Sequence, residues 1–417
     1  MNKLLTGLLT PMIGMLFILL LHFNTRVDTM LNQWNDQHKN AMHHIDQQAL
    51  REAVDYHKVE PAFARRPLST FLFEKTSSMT HLPLGTSFIL VNFLLLICCG
   101  IGIYLYSLQV SFTVTEAVYS QLIFYSGFTI VCAFFNTNYT YDEPLTYLCL
   151  IVSLIAFFRN KTFLFFLFFL LSCLCRESSY LFVPVFLYLT FHKKDNPVRY
   201  KHTILFAAAF VGVIVLHAFF LKWTYPSFFT AQSHQELTSR MDLFDFNFQD
   251  SKFGRETIFS FFIVNAIPLY LFLQSWNHIK KNKAEKKLLY SFLFLLICNT
   301  AIVLFSTIAR ESRLFALPLL LIYPLLGRYF LLEIKKIRTS RLTKCSVVQW
   351  CLIAVNLGIL YLAHGYIFNV YETTIHPKQF NYNCEYLFAI VLVIVGLNTM
   401  SLLTEQRPTS VDQDIYR

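Results

Sequence analysis

Charged residues interrupt stretches that otherwise read as hydrocarbon, and the chemistry is to be sought there. Asn136-Thr-Asn-Tyr-Thr-Tyr-Asp142-Glu143-Pro144 leads into one apolar span, Arg159-Asn-Lys161 separates it from a second, and Cys175-Arg176-Glu177-Ser178 separates the second from a third ending near Thr190. A carboxylate or guanidinium at or near membrane depth is costly, so such groups are partnered, buried in protein or turned to a watery cavity, and each is a functional hypothesis. Arg310-Glu311-Ser312-Arg313 repeats the Arg-Glu pair late in the chain, and Arg65-Arg66-Pro67 places two guanidiniums early. Arginine grips phosphate bidentately. Arg176, Arg310 and Arg313 therefore read as a phosphate-binding set, with Glu177 and Glu311 orienting them. An adjacent Arg-Glu pair does not usually face itself, so Arg176 and Glu177 are each expected to pair elsewhere.

Plainer readings stand beside these. Asp142 and Glu143 before Pro144 suit the first turn of a helix, where an acid complements the helix dipole; their functional reading is an acid near a polar headgroup, as a base or a metal ligand. Arg310 and Arg313 could simply reach an interface with their charged ends, and Arg65 and Arg66 could touch lipid headgroups. His38, His43, His44 and His57 lie near Asp46 and Asp55 but show no ligand spacing of a known metal motif, so they read as titrating residues on a surface helix. No metal or other cofactor is expected. Most of the ten cysteines (Cys98, Cys99, Cys132, Cys149, Cys173, Cys175, Cys298 and Cys351 among them) fall inside apolar runs and read as small buried hydrophobes.

The elements that must position these residues are membrane helices. Of 417 residues 55% are hydrophobic and only 14% charged, and the apolar residues gather in runs rather than being dispersed. Runs of about 14–22 residues set off by charge are the pattern of an all-α, polytopic membrane bundle. Spans are expected near 4–23, 85–106, 113–135, 145–158, 162–175, 179–191, 203–222, 257–274, 288–308, 314–332, 347–368 and 384–404, about 11–12 in all once the short pair around Arg176-Glu177 is counted. Residues 1–404 form one transmembrane domain. Its first outer loop, 24–84, carries an amphipathic helix (Leu31, Trp34, Met42, Ile45, Ala49, Val54) expected to lie on the membrane surface and to end at Pro61. Residues 223–256 form a second outer loop, and 405–417 a polar cytoplasmic tail. The N-terminal apolar run lacks a small-x-small cleavage site and reads as an uncleaved first helix.

The net charge of +10 does not indicate nucleic acid. Basic residues sit in short clusters between spans (Lys193, Lys194, Arg199 and Lys201; Lys280 to Lys287; Lys335 to Lys344), as cytoplasmic loops require. Counting sides from Lys3 puts all of these clusters and both termini in the cytoplasm, and Asp142-Glu143, Arg176-Glu177 and Arg310–Arg313 outside. One continuous span over 162–191 would reverse every later cluster, so two short helices with Arg176-Glu177 at an outward tip are expected. A 14-residue helix reaches only ~21 Å of a ~30 Å core, which recesses that tip.

Arg66-Pro67-Leu68, Tyr141-Asp142-Glu143-Pro144, Arg176-Glu177-Ser178 and Arg310-Glu311-Ser312-Arg313, in this order on this scaffold, resemble bacterial membrane glycosyltransferases of the GT-C type. The resemblance implies transfer of a sugar from a polyprenyl-phosphate carrier to a glycan, lipid or protein acceptor at the outer face of the inner membrane. It places the key acid in the first outer loop, at Asp46 or Asp55; Asp142 and Glu143 are the other candidates for the base. Arg65 and Arg66 join the substrate-binding set. Two departures are plain: the loop has no Asp-Asp or Glu-Asp pair, and Cys175 stands where Asn is common. The rival readings are an envelope polysaccharide polymerase or ligase, a transporter, and a non-catalytic scaffold.

Overall fold

A computed structural model describes residues 3–22, 33–35, 40–42, 45, 47–110, 112–131, 141–193, 198–224, 243–339, 341–342, 346–371 and 383–405. The chain folds as a helical bundle. Helix α1 (Lys3–His22) is followed by α2 (Gln47–Val59), α3 (Pro61–Ala64) and α4 (Pro67–Thr80), then by α5 (Leu84–Gln109), α6 (Val114–Ser126) and α7 (Phe128–Val131). Next come α8 (Glu143–Phe158), α9 (Thr162–Cys175), α10 (Phe182–Lys193), α11 (Val198–Thr224), α12 (Leu243–Phe248), α13 (Ser251–Gln274), α14 (Trp276–Lys281) and α15 (Lys283–Ser306). Helices α16 (Tyr323–Thr339), α17 (Val347–Tyr366) and α18 (Asn383–Leu403) close the series.

Among the described residues six helices are long and apolar enough to cross a membrane, and a bent pair, Ser312–Leu321 with Tyr323–Ile337 at 86°, makes a seventh if it is one span. Leu5–Leu21, Glu143–Phe158 and Thr162–Cys175 are shorter apolar helices. The expected span at 314–332 is thus broken: two 3-10 turns, Ser312–Phe315 and Leu317–Leu321, precede α16, and Pro318 at the start of the second withholds an amide from the helical ladder.

The break at the short pair lies where the chain's own signals put it. Arg176 adopts an extended backbone (φ −161, ψ 127) and a 3-10 turn, Glu177–Leu181, leads into α10. At the other end of the pair Asn160 takes a left-handed conformation (φ 56), which Asn tolerates better than most residues. Phenylalanines bind the pair together and to α8 and α11: Phe165 packs on Phe157 at 5.6 Å and on Phe186 at 4.8 Å, and Phe169 on Phe210 at 5.1 Å.

The first loop departs from expectation. Its amphipathic helix spans Gln47–Val59 only, and Trp34 and Met42 belong instead to an antiparallel ladder, β1 (Gln33–Asn35) with β2 (Asn40–Met42). Helix α2 also turns its apolar face to protein. Its apolar stripe, Leu50, Ala53 and Val54, is buried in the bundle against α5, and Gln47 Oε1 accepts the Gly85 amide at 2.9 Å. Protein offered this stripe a drier, better-packed surface than a headgroup layer. Helix α4 follows, begun by Pro67, in a segment whose polar composition gave it no helical signature. The second outer loop is shortened from both sides, since α11 runs to Thr224 and α13 starts at Ser251 under an Asp250 cap.

A second ionic network lies at the end of the bundle away from Asp142. The buried Glu285 carboxylate accepts hydrogen bonds from Arg328 Nη1 at 2.6 Å, Asn282 Nδ2 at 2.9 Å and the Tyr329 hydroxyl, while Arg328 Nε reaches Glu116 at 3.6 Å. It ties the starts of α6 and α15 to α16. The start of α1 is at this end too, where Gly7 meets the Tyr104 ring near the close of α5.

Candidate functional site

At the opposite end the chain gathers four arginines and four carboxylates. Arg66, the residue before α4, donates from Nε to Glu177 at 2.9 Å and from Nη1 to Asp142 at 3.1 Å. Arg65 Nε pairs with the other Glu177 oxygen at 2.5 Å. Arg176 Nη1 lies 3.4 Å from Asp142 and bonds to Glu143. Arg313 completes the set from the bend, 3.7 Å from Glu143 and 2.7 Å from Glu311. Arg176 and Glu177, neighbours in the chain, do turn to different partners, whereas Arg313 pairs within its own motif. The eight formal charges cancel, which is how so many buried charges are tolerated together.

Local structure aims these groups. Asp142 and Glu143 start α8, with Pro144 in its first turn, so both carboxylates sit at the positive end of the helix dipole, and Glu143 Oε2 accepts the Tyr141 amide at 3.1 Å. The extended residue Arg176 breaks α9 from its 3-10 turn and lets one guanidinium reach back to α8. Both carboxylates of α8 are almost wholly buried, Asp142 and Glu143 each 3% exposed.

The remaining sequence candidates lie elsewhere. Arg310 is not part of the cluster: its guanidinium sits over the Phe253 ring at 3.9 Å and the Phe246 ring at 5.2 Å and pairs with Glu256 at 3.4 Å. Arg310 precedes the 3-10 turn Ser312–Phe315 while Arg313 lies within it, and the aromatic faces of α12 and α13 give the Arg310 cation a better-defined seat. Asp55 is exposed on α2, 3.6 Å from Lys58, and does not reach the cluster. Asp46, with His38, His43 and His44, lies outside the described residues. Among the described residues no group of three or more His, Cys, Asp or Glu is arranged to hold a metal ion.

In the sequence His57 stands out only among the first-loop histidines and Tyr141 only as part of the motif before Pro144; the structure stacks the two beside the arginine cluster. The His57 ring stacks on Tyr141 with centroids 3.5 Å apart and planes 14° apart, and the Tyr141 hydroxyl meets Thr70 Oγ1 at 2.7 Å. His57 Nδ1 is buried without a hydrogen-bond partner among the described residues. The available signal was the phase of His57 on α2, three residues beyond the buried Val54, on the side turned to the bundle.

Burial sets the titration of these groups as much as charge does. Burial and the Arg66 guanidinium, aided by Arg313 and Arg176 against the opposing pull of Glu143, bring the His57 imidazole down to about 3. Burial also raises the Asp142 carboxyl above its ordinary value, with Glu143 adding to the rise and Arg176 and Arg66 opposing it. For Glu177 burial acts upward as well, but Arg66 and Arg65 override it and hold the carboxyl below its usual range.

The His57 shift gives a pH prediction. Its folded value lies below the ~6.5 of an exposed histidine, so the undocked state binds more protons and docking of α2 weakens as pH falls from about 6.5 towards 3. Protease access to α2 is expected to rise at pH 5 relative to pH 7.5 in the wild type. His57→Phe, which keeps a ring against Tyr141, should flatten that difference.

Arg65, Arg66, Glu143, Arg176, Glu177 and Arg313 line a cavity of about 410 Å³. Tyr147 contributes from α8, Ser178, Tyr180 and Leu181 from the turn between α9 and α10, Asn299, Ile302, Val303 and Ser306 from α15 with Thr307 just after it, and Leu314 and Leu317 from the bend. Charged and polar groups share one hollow with aliphatic ones, a lining that fits the head of an amphiphile. No protein-family model, no curated protein and no solved structure matches the chain. The chemistry of the site is therefore read from its own residues.

Proposed function

We propose that the protein is a membrane glycosyltransferase of the GT-C kind, moving a sugar from a polyprenyl-phosphate donor to a glycan, lipid or protein acceptor. The observation that carries this reading is the convergence, on one cavity at one end of an apolar bundle, of four guanidiniums and the carboxylate of Glu143. By the distribution of basic residues that end faces away from the cytoplasm, in a bacterial inner membrane with both termini inside.

Arg176, Arg313, Arg66 and Arg65 hold the donor phosphate and stabilise the charge it gains on leaving. Glu143 lines the cavity and takes the proton of the acceptor hydroxyl; that oxygen forms a bond to the anomeric carbon as the bond from that carbon to the phosphate oxygen breaks. Arg176 and Arg313 engage Glu143 and weaken it as a base. A donor phosphate competes for the same guanidiniums, so its arrival restores the basicity of Glu143. Asp142 stands behind the pair and aligns Arg66 with Arg176.

The test is binding of a polyprenyl monophosphate to purified protein. Arg313→Ala is expected to weaken binding by about a hundredfold, the loss of a charge-assisted contact in a partly dry site. Arg310→Ala, whose guanidinium sits on Phe253 away from the cavity, is expected to bind as the wild type does. Absence of binding in the wild type, or equal affinity in Arg313→Ala, overturns the reading and favours a scaffold or transporter.

A further inference from the structure

The cavity carries a polar device that the arginine cluster does not use. Tyr180, in the 3-10 turn after Arg176, lines the hollow beside Arg65, Arg66 and Glu177. Its hydroxyl is hydrogen-bonded to Nδ1 of His217, and the Cys173 thiol and the Glu177 carboxylate are among its polar neighbours. His217 comes from α11, a span whose apolar window is only 22% buried, yet His217 itself is 3% exposed. Its Nε2 is buried with no hydrogen-bond partner among the described residues. An imidazole turned inward from a largely lipid-facing helix, with one nitrogen unsatisfied, is a costly arrangement. Packing alone does not call for it, since an apolar side chain would fill the same space.

The pair has a property that the arginines lack. Guanidinium donates only, so it suits phosphate, which accepts only. The hydrogen bond between Tyr180 and His217 can run either way, according to which nitrogen of the neutral imidazole carries its hydrogen. With that hydrogen on Nε2, Nδ1 accepts from the phenol, and the tyrosine offers the cavity a lone pair. With it on Nδ1, the imidazole donates to the phenolic oxygen, and the phenolic hydrogen is free to turn into the cavity. A group that both donates and accepts is the complement of a hydroxyl. In the same lining the Ser306 and Thr307 hydroxyls donate to Ile302 O and Val303 O at 2.7 Å each, and keep oxygen lone pairs that accept.

We infer that Tyr180, held by His217, is the hydroxyl-recognising element of the cavity, and that the ligand there is a phosphodiester carrying a polyhydroxylated group, its sugar hydroxyls meeting Tyr180 while the arginines hold the phosphate. This rests on the phosphate reading proposed above and assigns the cavity's second half. The cavity volume of about 410 Å³ is at the small end of ligand pockets and suits one monosaccharide phosphate rather than an oligosaccharide.

The experiment compares two probes of equal charge on full-length protein: a polyprenyl phosphodiester of a hexose, and the methyl diester of the same polyprenyl phosphate, which has no hydroxyls. The wild type is expected to bind the hexose diester about tenfold more tightly, the gain of a satisfied hydrogen-bonded set. In Tyr180→Phe the ratio of the two affinities should fall towards one. His217→Phe, which keeps a ring in the same buried place, should lower the ratio as well, and serves if Tyr180→Phe is not recovered folded. Because each ratio is measured within one protein sample, a partly inactive preparation does not alter it. A wild-type ratio near one, or a ratio that both variants retain, overturns the inference and leaves the phosphate site standing. Failure of both diesters to bind the wild type overturns the phosphate reading and this inference together.

Discussion

Gly327→Ala is expected to lower stability in detergent by about 3 kcal/mol, the upper range for overpacking a well-filled site, and to lose ligand binding with it. A Cβ at Gly327 would stand 2.2 Å from Ser120 Oγ, 2.5 Å from Glu116 O and 2.5 Å from Ser120 N. Two of those atoms are backbone, so no rotamer change makes room. Small residues at membrane-helix crossings let backbones approach in this way and replace the hydrophobic drive that lipid cannot supply. Forcing α6 from α16 also breaks the contacts that the crossing aligns, Arg328 with Glu116 and Glu285, and Tyr329 with Glu285. Because α16 continues from the bend that carries Arg313, the disturbance reaches the cavity at the other end. Denaturation in mixed micelles measures the loss. A variant as stable as the wild type would show that the two helices do not cross this closely.

Arg176→Ala is the second large effect, about 3–5 kcal/mol for removing one partner from a buried ionic group. It strips Glu143 of its closest cation and leaves Asp142 with Arg66 alone. The same substitution should abolish phosphate binding, but a destabilised protein could lose binding for trivial reasons. The double variant Arg176→Met, Glu143→Gln separates the two. It removes charge of both signs, fills the space with a flexible apolar chain and is expected to regain most of the stability while still failing to bind a polyprenyl monophosphate. Recovery of binding along with stability would place the phosphate elsewhere.

Much of the scaffold was legible because hydropathy is a local property. The run between Leu84 and Gln109 is apolar at every turn and has to be a buried helix whatever surrounds it. The interruption at Arg176-Glu177 was legible for the same reason, as was the first turn of α8 at Asp142-Glu143-Pro144. The types of residue needed for an anion site could be read from the chain as well.

The convergence of those residues could not be read. Arg66 meets Glu177 across 111 positions of sequence and Asp142 across 76, distances over which no local pattern carries information. Arg310 and Arg313 were equal in the sequence, and only the 3-10 geometry at the bend, with Phe253 and Glu256 on one side and Glu143 on the other, made one an aromatic-seated strut and the other a wall of the cavity. Helix α2 had an amphipathic pattern that fits a membrane surface and a protein surface equally well; the apolar face of α5 decided between them and carried His57 onto Tyr141. His217 stands among apolar residues in the chain, and only the docking of α11 brings it to Tyr180. Composition and periodicity thus determined which segments enter the apolar layer and where charge interrupts them. Packing decided which charges meet, because an ion pair depends on position in space and the sequence orders residues only along the chain.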